Sequence, residues 1–277
     1  MKKRMLFMDL DGTLLNDAKQ ITEGNRVALE QALERGHGVI ITTGRPLKSA
    51  MDQAHMLGMD RPGCYLIAYN GAVIYDWTAE KQIFCRSLPY EAVYKVFDQA
   101  LTQNEHIQTY DTWKVLVEQR GDDEAVRRYC KLIGMEFDVI EDVRKDLKEA
   151  PVKCLVINYE EKSGLDKIQA WIRGNMHEEV DCFFSCNQYL EVVPKGMSKG
   201  EAVKMLCQMM GVEITEAVAV GDAANDLSMI ETAGIGVAMA NATDEVKAVA
   251  NYITTRDNNH DGIAEVVERF FGERVTE

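Results

Sequence analysis

Short, unbroken apolar runs punctuate this chain, and each stops at small or polar residues. Met5-Leu6-Phe7-Met8 runs into Asp9-Leu10-Asp11-Gly12-Thr13, and Gly38-Val39-Ile40-Ile41-Thr42-Thr43 into Gly44-Arg45. Tyr65-Leu66-Ile67-Ala68-Tyr69 is followed by Asn70-Gly71, and Ala217-Val218-Ala219-Val220 by Gly221-Asp222; Ile235-Gly236-Val237-Ala238 is a further run. Runs without polar alternation read as strands buried on both faces. Residues 22–35 carry a helix pattern closed by Gly36 as a C-terminal cap. Strands alternating with such helices predict βαβ units and a parallel sheet. Ligands of such sheets gather at the carboxyl ends of the strands, where the Asp, Thr-Gly, Asn-Gly and Gly-Asp residues fall.

The middle of the chain has another texture. Residues 89–101, 124–132 and 164–174 read as helices, 109–117 as a pair of strands, and 152–159 and 181–185 as further strands. This is an α+β module of about a hundred residues, large enough for its own core. The predicted organisation is a core of residues 1–85 and 189–277 with an inserted domain at 86–188. Trp113 and Trp171 are assigned to the core of the insert. Residues 265–277 are read as an amphipathic helix presenting Val266, Val267, Phe270 and Phe271.

Composition narrows the function. The 277 residues are 46% hydrophobic and 27% charged, which argues for a globular chain. The net charge of −14 repels nucleic acid and anionic membranes, so a phosphorylated substrate needs a metal or a few placed cations. No apolar run has the length of a membrane span. The basic start, Met1-Lys2-Lys3-Arg4, superficially resembles a signal peptide, but Asp9 and Asp11 cut the apolar stretch short and no cleavage site follows. A cytoplasmic protein is expected. Seven scattered cysteines without a Cys-x-x-Cys pair read as reduced thiols, and the five histidines form no metal or triad pattern.

The candidate chemistry begins at Asp9 and Asp11, which period-two geometry places on one side of a strand end. Charges there cost several kcal/mol unless paired or bound to a metal; an ordinary solvated Asp-Gly turn is the alternative. Ser198-Lys199-Gly200-Glu201 predicts a capping box opening a helix whose apolar face is Ala202, Val203, Met205, Leu206, Met209 and Met210, ended by Gly211. Lys199 lies in the first turn, where the helix dipole disfavours a cation. Either an anion sits beside it or it is a solvated lysine. Gly221-Asp222-Ala223-Ala224-Asn225-Asp226 is a strand-to-helix turn. If Asp9, Asp11, Asp222 and Asp226 converge, their repulsion calls for a divalent cation, and an all-oxygen site favours Mg²⁺.

Asp9-Leu10-Asp11-Gly12-Thr13, Thr43-Gly44-Arg45, Lys199, and Gly221-Asp222 with Asn225-Asp226 resemble the four ordered motifs of the haloacid dehalogenase superfamily. Tyr69-Asn70-Gly71-Ala72, Pro194-Lys195-Gly196-Met197-Ser198-Lys199-Gly200 and Asp261-Gly262-Ile263-Ala264 resemble its Cof-type sugar-phosphatase branch. The resemblance runs nearly end to end. It implies a Rossmann-like parallel-sheet core with an inserted, mobile α+β cap that closes over the site and selects leaving groups. It further implies that Asp9 is the nucleophile and becomes an aspartyl phosphate. Asp11 would protonate the leaving alkoxide and then activate water. Asp9, Asp222 and the Asp11 carbonyl would hold Mg²⁺. Thr43, the amides of Leu10 and Gly44, Lys199 and Asn225 would hold the phosphoryl oxygens. Asp226 would support the metal's water shell or orient Lys199, and Asn70 and Gly71 are candidates for substrate specificity. The implied substrate is a small phosphate ester, such as a sugar phosphate, hydrolysed by a monomer or weak homodimer. A phosphotransferase or mutase, or a non-catalytic metabolite sensor, is the alternative. The resemblance implies a place near the site for the loop of Asn258, Asn259 and Asp261, without assigning it a role.

Overall fold

The apolar runs become strands because sheet neighbours and helices cover both of their faces. The structure, a computed structural model, describes residues 2–272. They group into two units: the described parts of Met1–Gly44, Met51–Ile83 and Ser198–Glu277, and a second of Arg45–Ala50 and Phe84–Met197. In the first unit β1 (Met5–Met8), β2 (Gly38–Thr42) and β3 (Cys64–Ala68) are buried at every position. Burial stabilises each large apolar side chain by about 1.5–3 kcal/mol, more than β-propensity supplies. Strands β4 (Val73–Asp76) and β5 (Lys81–Cys85), absent from the sequence reading, extend this sheet. Helix α1 (Glu23–Glu34) ends as expected: Gly36 has φ +82°, and its amide and that of His37 bond the carbonyls of Leu33 and Ala32 at 2.9 and 3.1 Å. Helix α2 (Leu47–Met56) follows β2.

The second unit is α+β. It contains α3 (Tyr90–Thr102), β6 (His106–Tyr110), β7 (Val115–Glu118), α4 (Glu124–Ile133), β8 (Phe137–Ile140), the short α5 (Val143–Asp146), β9 (Cys154–Ile157), α6 (Lys162–Asn175), β10 (Val180–Cys186) and β11 (Tyr189–Pro194). Its six-stranded sheet has the order β10-β11-β9-β6-β7-β8. The sequence boundary at residue 188 falls inside the β10–β11 hairpin. Because β11 pairs antiparallel with both β10 and β9, the unit continues to Met197. Trp171 packs against the apolar cluster of this unit, but Trp113 is 59% exposed. The Asp111 carboxylate accepts the amides of Trp113 and Lys114, both at 2.7 Å, so Trp113 sits on the β6–β7 turn rather than in a core.

The chain returns to the first unit through α7 (Lys199–Met209), β12 (Ala217–Gly221), α8 (Leu227–Thr232), β13 (Ile235–Ala238), α9 (Asp244–Val249), β14 (Tyr252–Ile253) and α10 (Gly262–Phe270). Helix α10 starts before the predicted residue 265 and buries Val266, Val267 and the following Phe271; residues 273–277 lie outside the described residues. The eight-stranded order is β14-β13-β12-β1-β2-β3-β4-β5, with parallel pairs from β14 to β3 and β4 antiparallel to β3. This is a Rossmann-like α/β core. The chain leaves β1 toward β2 and β3 and later resumes on its other side at β12. The strand order thus reverses between β1 and β12, and the crevice at their carboxyl ends is the topological switch point where such sheets bind ligands. Among the described residues no helix is long and apolar enough to cross a membrane.

Candidate active site

The parallel pairing of β1 with β12 continues into the first carboxylate: the Asp9 amide donates to Val220 O at 3.0 Å. One residue beyond β12 stands Asp222, whose Oδ1 accepts Thr13 Oγ1 at 2.7 Å. Gly12 makes this approach possible. Its φ is +86°, and a Cβ there would stand 2.6 Å from Asp222 Oδ2. Both strand ends are thereby drawn together at the switch point.

Lys199, the first residue of α7, is 1% exposed and donates to Asp9 Oδ1 at 2.5 Å and Asp226 Oδ1 at 2.6 Å. The unfavourable helix-dipole position is thus offset by two buried ion pairs. The Ser198 half of the capping box forms, with Ser198 Oγ accepting Glu201 N at 3.1 Å. Glu201 does not reach back; its carboxylate takes Lys204 Nζ at 2.6 Å. The buried face of α7 contains Ala202, Val203, Leu206 and Cys207, whereas Met209 is 44% exposed.

Asp226 commits both oxygens within the protein. Oδ1 takes Lys199, and Oδ2 accepts the amides of Asp222 and Ala223 at 2.9 and 3.1 Å. It therefore shapes the turn that presents Asp222 and fixes the Lys199 ammonium. Carboxylate oxygens of Asp9, Asp222 and Asp226 lie within 4.8 Å of one another. Burial pushes the Asp9 carboxyl up to about 8, with Lys199 opposing and Asp226 and Asp222 adding to the rise. Burial likewise raises Asp222 to about 6, against the Thr13 hydrogen bond. Burial opposes the charge of Lys199, but Asp226 and Asp9 hold its ammonium above its usual range. With all three carboxylates ionised, the one ammonium that the described residues place among them leaves two negative charges in excess; burial resists that ionisation, and the all-oxygen donor set suits a hard divalent cation such as Mg²⁺ that would favour it.

The Asp11 side chain stands outside that trio: its Oδ1 accepts Lys19 Nζ at 2.8 Å. Leu10 is fully buried, with its carbonyl accepting Leu15 N at 2.8 Å. Thr43 is buried at the end of β2; its amide donates to Ile67 O at 2.8 Å and its carbonyl accepts Asn70 N at 3.0 Å. Gly44 lies against the Asn70 carboxamide, and Gly71 against Ser198 O. Asn225 is half-buried on the turn between Asp222 and Asp226.

Several supporting residues escaped the sequence reading. Lys19 pairs with Asp11 from a left-handed φ of +59°. Asn241 Nδ2 holds Gly12 O at 2.8 Å, and Asn258 Nδ2 holds Leu15 O at 3.1 Å. Asn258 and Asn259 also grip Asp17. The loop left without a role thus pins the segment that follows Asp11, while the Asp261 carboxylate packs on Gly24 of α1. Asn241 did carry a signal, since it follows an apolar strand as the other site residues do. For Asn258 and Asn259 the signal was the resemblance, which implies a place near the site without assigning a role.

A Rossmann-like core with carboxylates and a lysine gathered at its switch point suits phosphoryl-transfer chemistry. The haloacid dehalogenase-like hydrolase family model matches residues 6–267, and the chain belongs to that family. A candidate phosphatase of Bacillus subtilis (strain 168), YxeH, is 32% identical over 266 residues, covering 95% of this chain and 97% of its own. The 5-amino-6-(5-phospho-D-ribitylamino)uracil phosphatase YitU of the same organism is 28% identical over 277 residues, with 98% of each chain covered. Among solved structures, a haloacid dehalogenase-like hydrolase from Bacteroides thetaiotaomicron is 33% identical with a TM-score of 0.88, covering 97% of this chain and 99% of its own. The chain is an enzyme of the phosphatase branch of this family.

Proposed function

We propose that this enzyme is a Mg²⁺-dependent phosphatase that hydrolyses a small phosphorylated metabolite, a sugar phosphate or similar ester, through an aspartyl phosphate. The observation that carries the reading is the set of buried Asp9, Lys199 and Asp226 with half-buried Asp222 at the switch point. Asp9 and Asp222, with the Asp11 carbonyl, would hold the cation, since Asp226 is engaged by Lys199 and two amides. The cation would supply charge neutralisation to the phosphoryl group. Thr43, the amides of Leu10 and Gly44, Lys199 and Asn225 would hold the phosphoryl oxygens in place. An Asp9 carboxylate oxygen forms a bond to phosphorus as the ester P–O bond breaks, and Asp11 gives its proton to the departing oxygen. Asp11 then takes a proton from water, which attacks the acyl phosphate and releases inorganic phosphate and free Asp9. Positioning and charge neutralisation supply most of the rate in such transfers. The same reading places the enzyme in the cytoplasm, as a monomer or weak homodimer, acting on small molecules and not on nucleic acid. The net charge of −14 supports the last point. Asp9→Asn is expected to reduce phosphate release from p-nitrophenyl phosphate to background. Undiminished release would refute the assigned nucleophile.

A further inference from the structure

The chain leading away from Asp11 folds back on itself before α1 begins. Leu15 N donates to Leu10 O at 2.8 Å, and a turn at 16–20 closes with Asn16 N on Gln20 O and Lys19 N on Asn16 O, both at 2.9 Å. The Asn16 side chain braces the same turn by accepting Gln20 N at 2.9 Å. This turn sets Lys19 at a φ of +59° and brings its ammonium to Asp11 Oδ1 at 2.8 Å. The lysine side chain is 61% exposed, and an exposed ion pair holds too weakly to fix either partner by itself. The direction of the Asp11 carboxyl therefore depends on what holds the turn.

Asn258 holds it. This residue is 4% exposed, and both hydrogens of Nδ2 are engaged, one by Leu15 O and one by the Asp17 carboxylate, each at 3.1 Å. Its backbone amide donates to Asn241 Oδ1 at 3.1 Å, and Asn241 Nδ2 donates in turn to Gly12 O at 2.8 Å. Asn259 adds two bonds to Asp17: its Oδ1 accepts Asp17 N at 3.1 Å, and its Nδ2 donates to the carboxylate at 3.2 Å. The segment is thus gripped at Gly12, Leu15 and Asp17, from the residue after Asp11 to the turn that carries Lys19. The gripping loop is itself fixed. Gly262 N donates to Asp257 O at 3.1 Å, Ala264 N donates to Asn25 Oδ1 of α1 at 2.8 Å, and a Cβ at Gly262 would stand 2.8 Å from Arg256 O. Losing the Asn258 carboxamide would leave a buried carbonyl without its donor, so the segment would have to move.

We propose that Asn258 is a positioning residue for Asp11: through the 12–17 segment and Lys19 it keeps that carboxyl where it can hand a proton to the leaving oxygen. The inference rests on the phosphatase reading, in which the bond from Asp9 to phosphorus forms, the ester P–O bond breaks and the Asp11 proton passes to the departing oxygen. The clamp serves that proton transfer and not the grip on the phosphoryl group. The test compares kcat/KM for phenyl phosphate and p-nitrophenyl phosphate, esters of the same ring. Phenoxide is the stronger base and needs the proton as it leaves, whereas p-nitrophenoxide departs with little help. Asn258→Ala is expected to lower kcat/KM about tenfold or more for phenyl phosphate and less than about threefold for p-nitrophenyl phosphate, since a misplacement of about 1 Å can cost about 10²-fold. Asp17→Ala loosens the same clamp from an exposed position and is expected to shift the ratio likewise, which keeps the test open where Asn258→Ala fails to fold. Lys19→Met cuts the last link; combined with Asn258→Ala it is expected to shift the ratio no further than the larger single change, because both act through one carboxyl. Each ratio is taken within one preparation, so a reduced folded fraction cancels. A parallel fall for the two esters, an unchanged ratio, a shift toward phenyl phosphate, or a native enzyme that hydrolyses p-nitrophenyl phosphate alone overturns the assignment of Asn258 and leaves the phosphatase reading intact. Absence of phosphate release from both esters overturns both.

Discussion

Replacing Lys199 tests the electrostatic design of the site directly. Lys199→Met keeps the length and apolar stem of the side chain but removes the one ammonium that faces Asp9 and Asp226. The side chain is fully buried and so is that of Asp226, so water cannot replace the lost charge without the site opening. Removing one partner of a buried ion pair costs about 3–5 kcal/mol, most of it the penalty of the charge left behind. For a unit of this size that is a fall in melting temperature of about 6–20 °C, at about 2–4 °C per kcal/mol. With its carboxylates ionised the native cluster has two negative charges in excess, the single variant three, and Lys199→Met with Asp226→Asn two again. The double variant is therefore expected to be more stable than the single one, with a coupling of about 1–3 kcal/mol in a double-mutant cycle. Thermal and urea unfolding followed by circular dichroism measure both quantities. In the same variants kcat/KM with p-nitrophenyl phosphate should fall by about 10²–10³ or more, as when a preorganised donor is lost. A single variant within about 1 kcal/mol of the native protein, or a double variant no better than the single, would refute the view that Lys199 offsets buried carboxylate charge.

Dialysis against EDTA should abolish phosphate release and added Mg²⁺ should restore it. Mg²⁺ should also raise the melting temperature through binding to the folded state, and Asp222→Asn should remove that rise. Gly71→Ala should destabilise by about 2–5 kcal/mol, since the new Cβ meets Ser198 O at 2.2 Å from a φ of +107°. Gly174→Ala is the matched control: it is exposed in α6, nothing lies within 4 Å, and a gain of about 0.4–1 kcal/mol is expected from denaturant unfolding. Burial opposes ionisation of Glu265, but Tyr252, Thr255 and the Arg256 amide hold its carboxyl below the usual range. The folded state thus favours the ionised form, so this stabilisation is complete above the unfolded pKa and is lost as pH falls through the folded one. Acidification below about pH 4.3 should lower the native melting temperature more than that of Glu265→Gln; parallel curves would contradict the assignment.

Asp9, Asp222 and Lys199 stood out in the sequence for one reason. Each is a charge at the end of a segment that otherwise has to be buried, and physical chemistry allows few uses for such a charge. The core strands were legible for the same reason, as β1, β2, β3 and β12 are continuous apolar runs. Strand β11 was less so, because Glu191 interrupts it and its place depends on pairing with β9 and β10. Trp113 was misplaced because composition marks a tryptophan as core material, whereas the local Asp111 turn decides its exposure.

By itself, then, the sequence determined the alternation of elements, the parallel sheet, and the residue types able to carry phosphoryl chemistry. Those follow from periodicity and from the cost of burying charge, which are local properties. Tertiary structure alone decided the partnerships: Asp226 with Lys199 and two amides, Asp11 with Lys19, and Asn241 and Asn258 on the backbone after Asp11. The pairings made by Lys199, Asn241 and Asn258 join segments far apart in the chain, and no local pattern encodes which distant donor will face which acceptor. The reversal of strand order between β1 and β12 brings the main partners together, and it becomes visible only once the sheet is assembled.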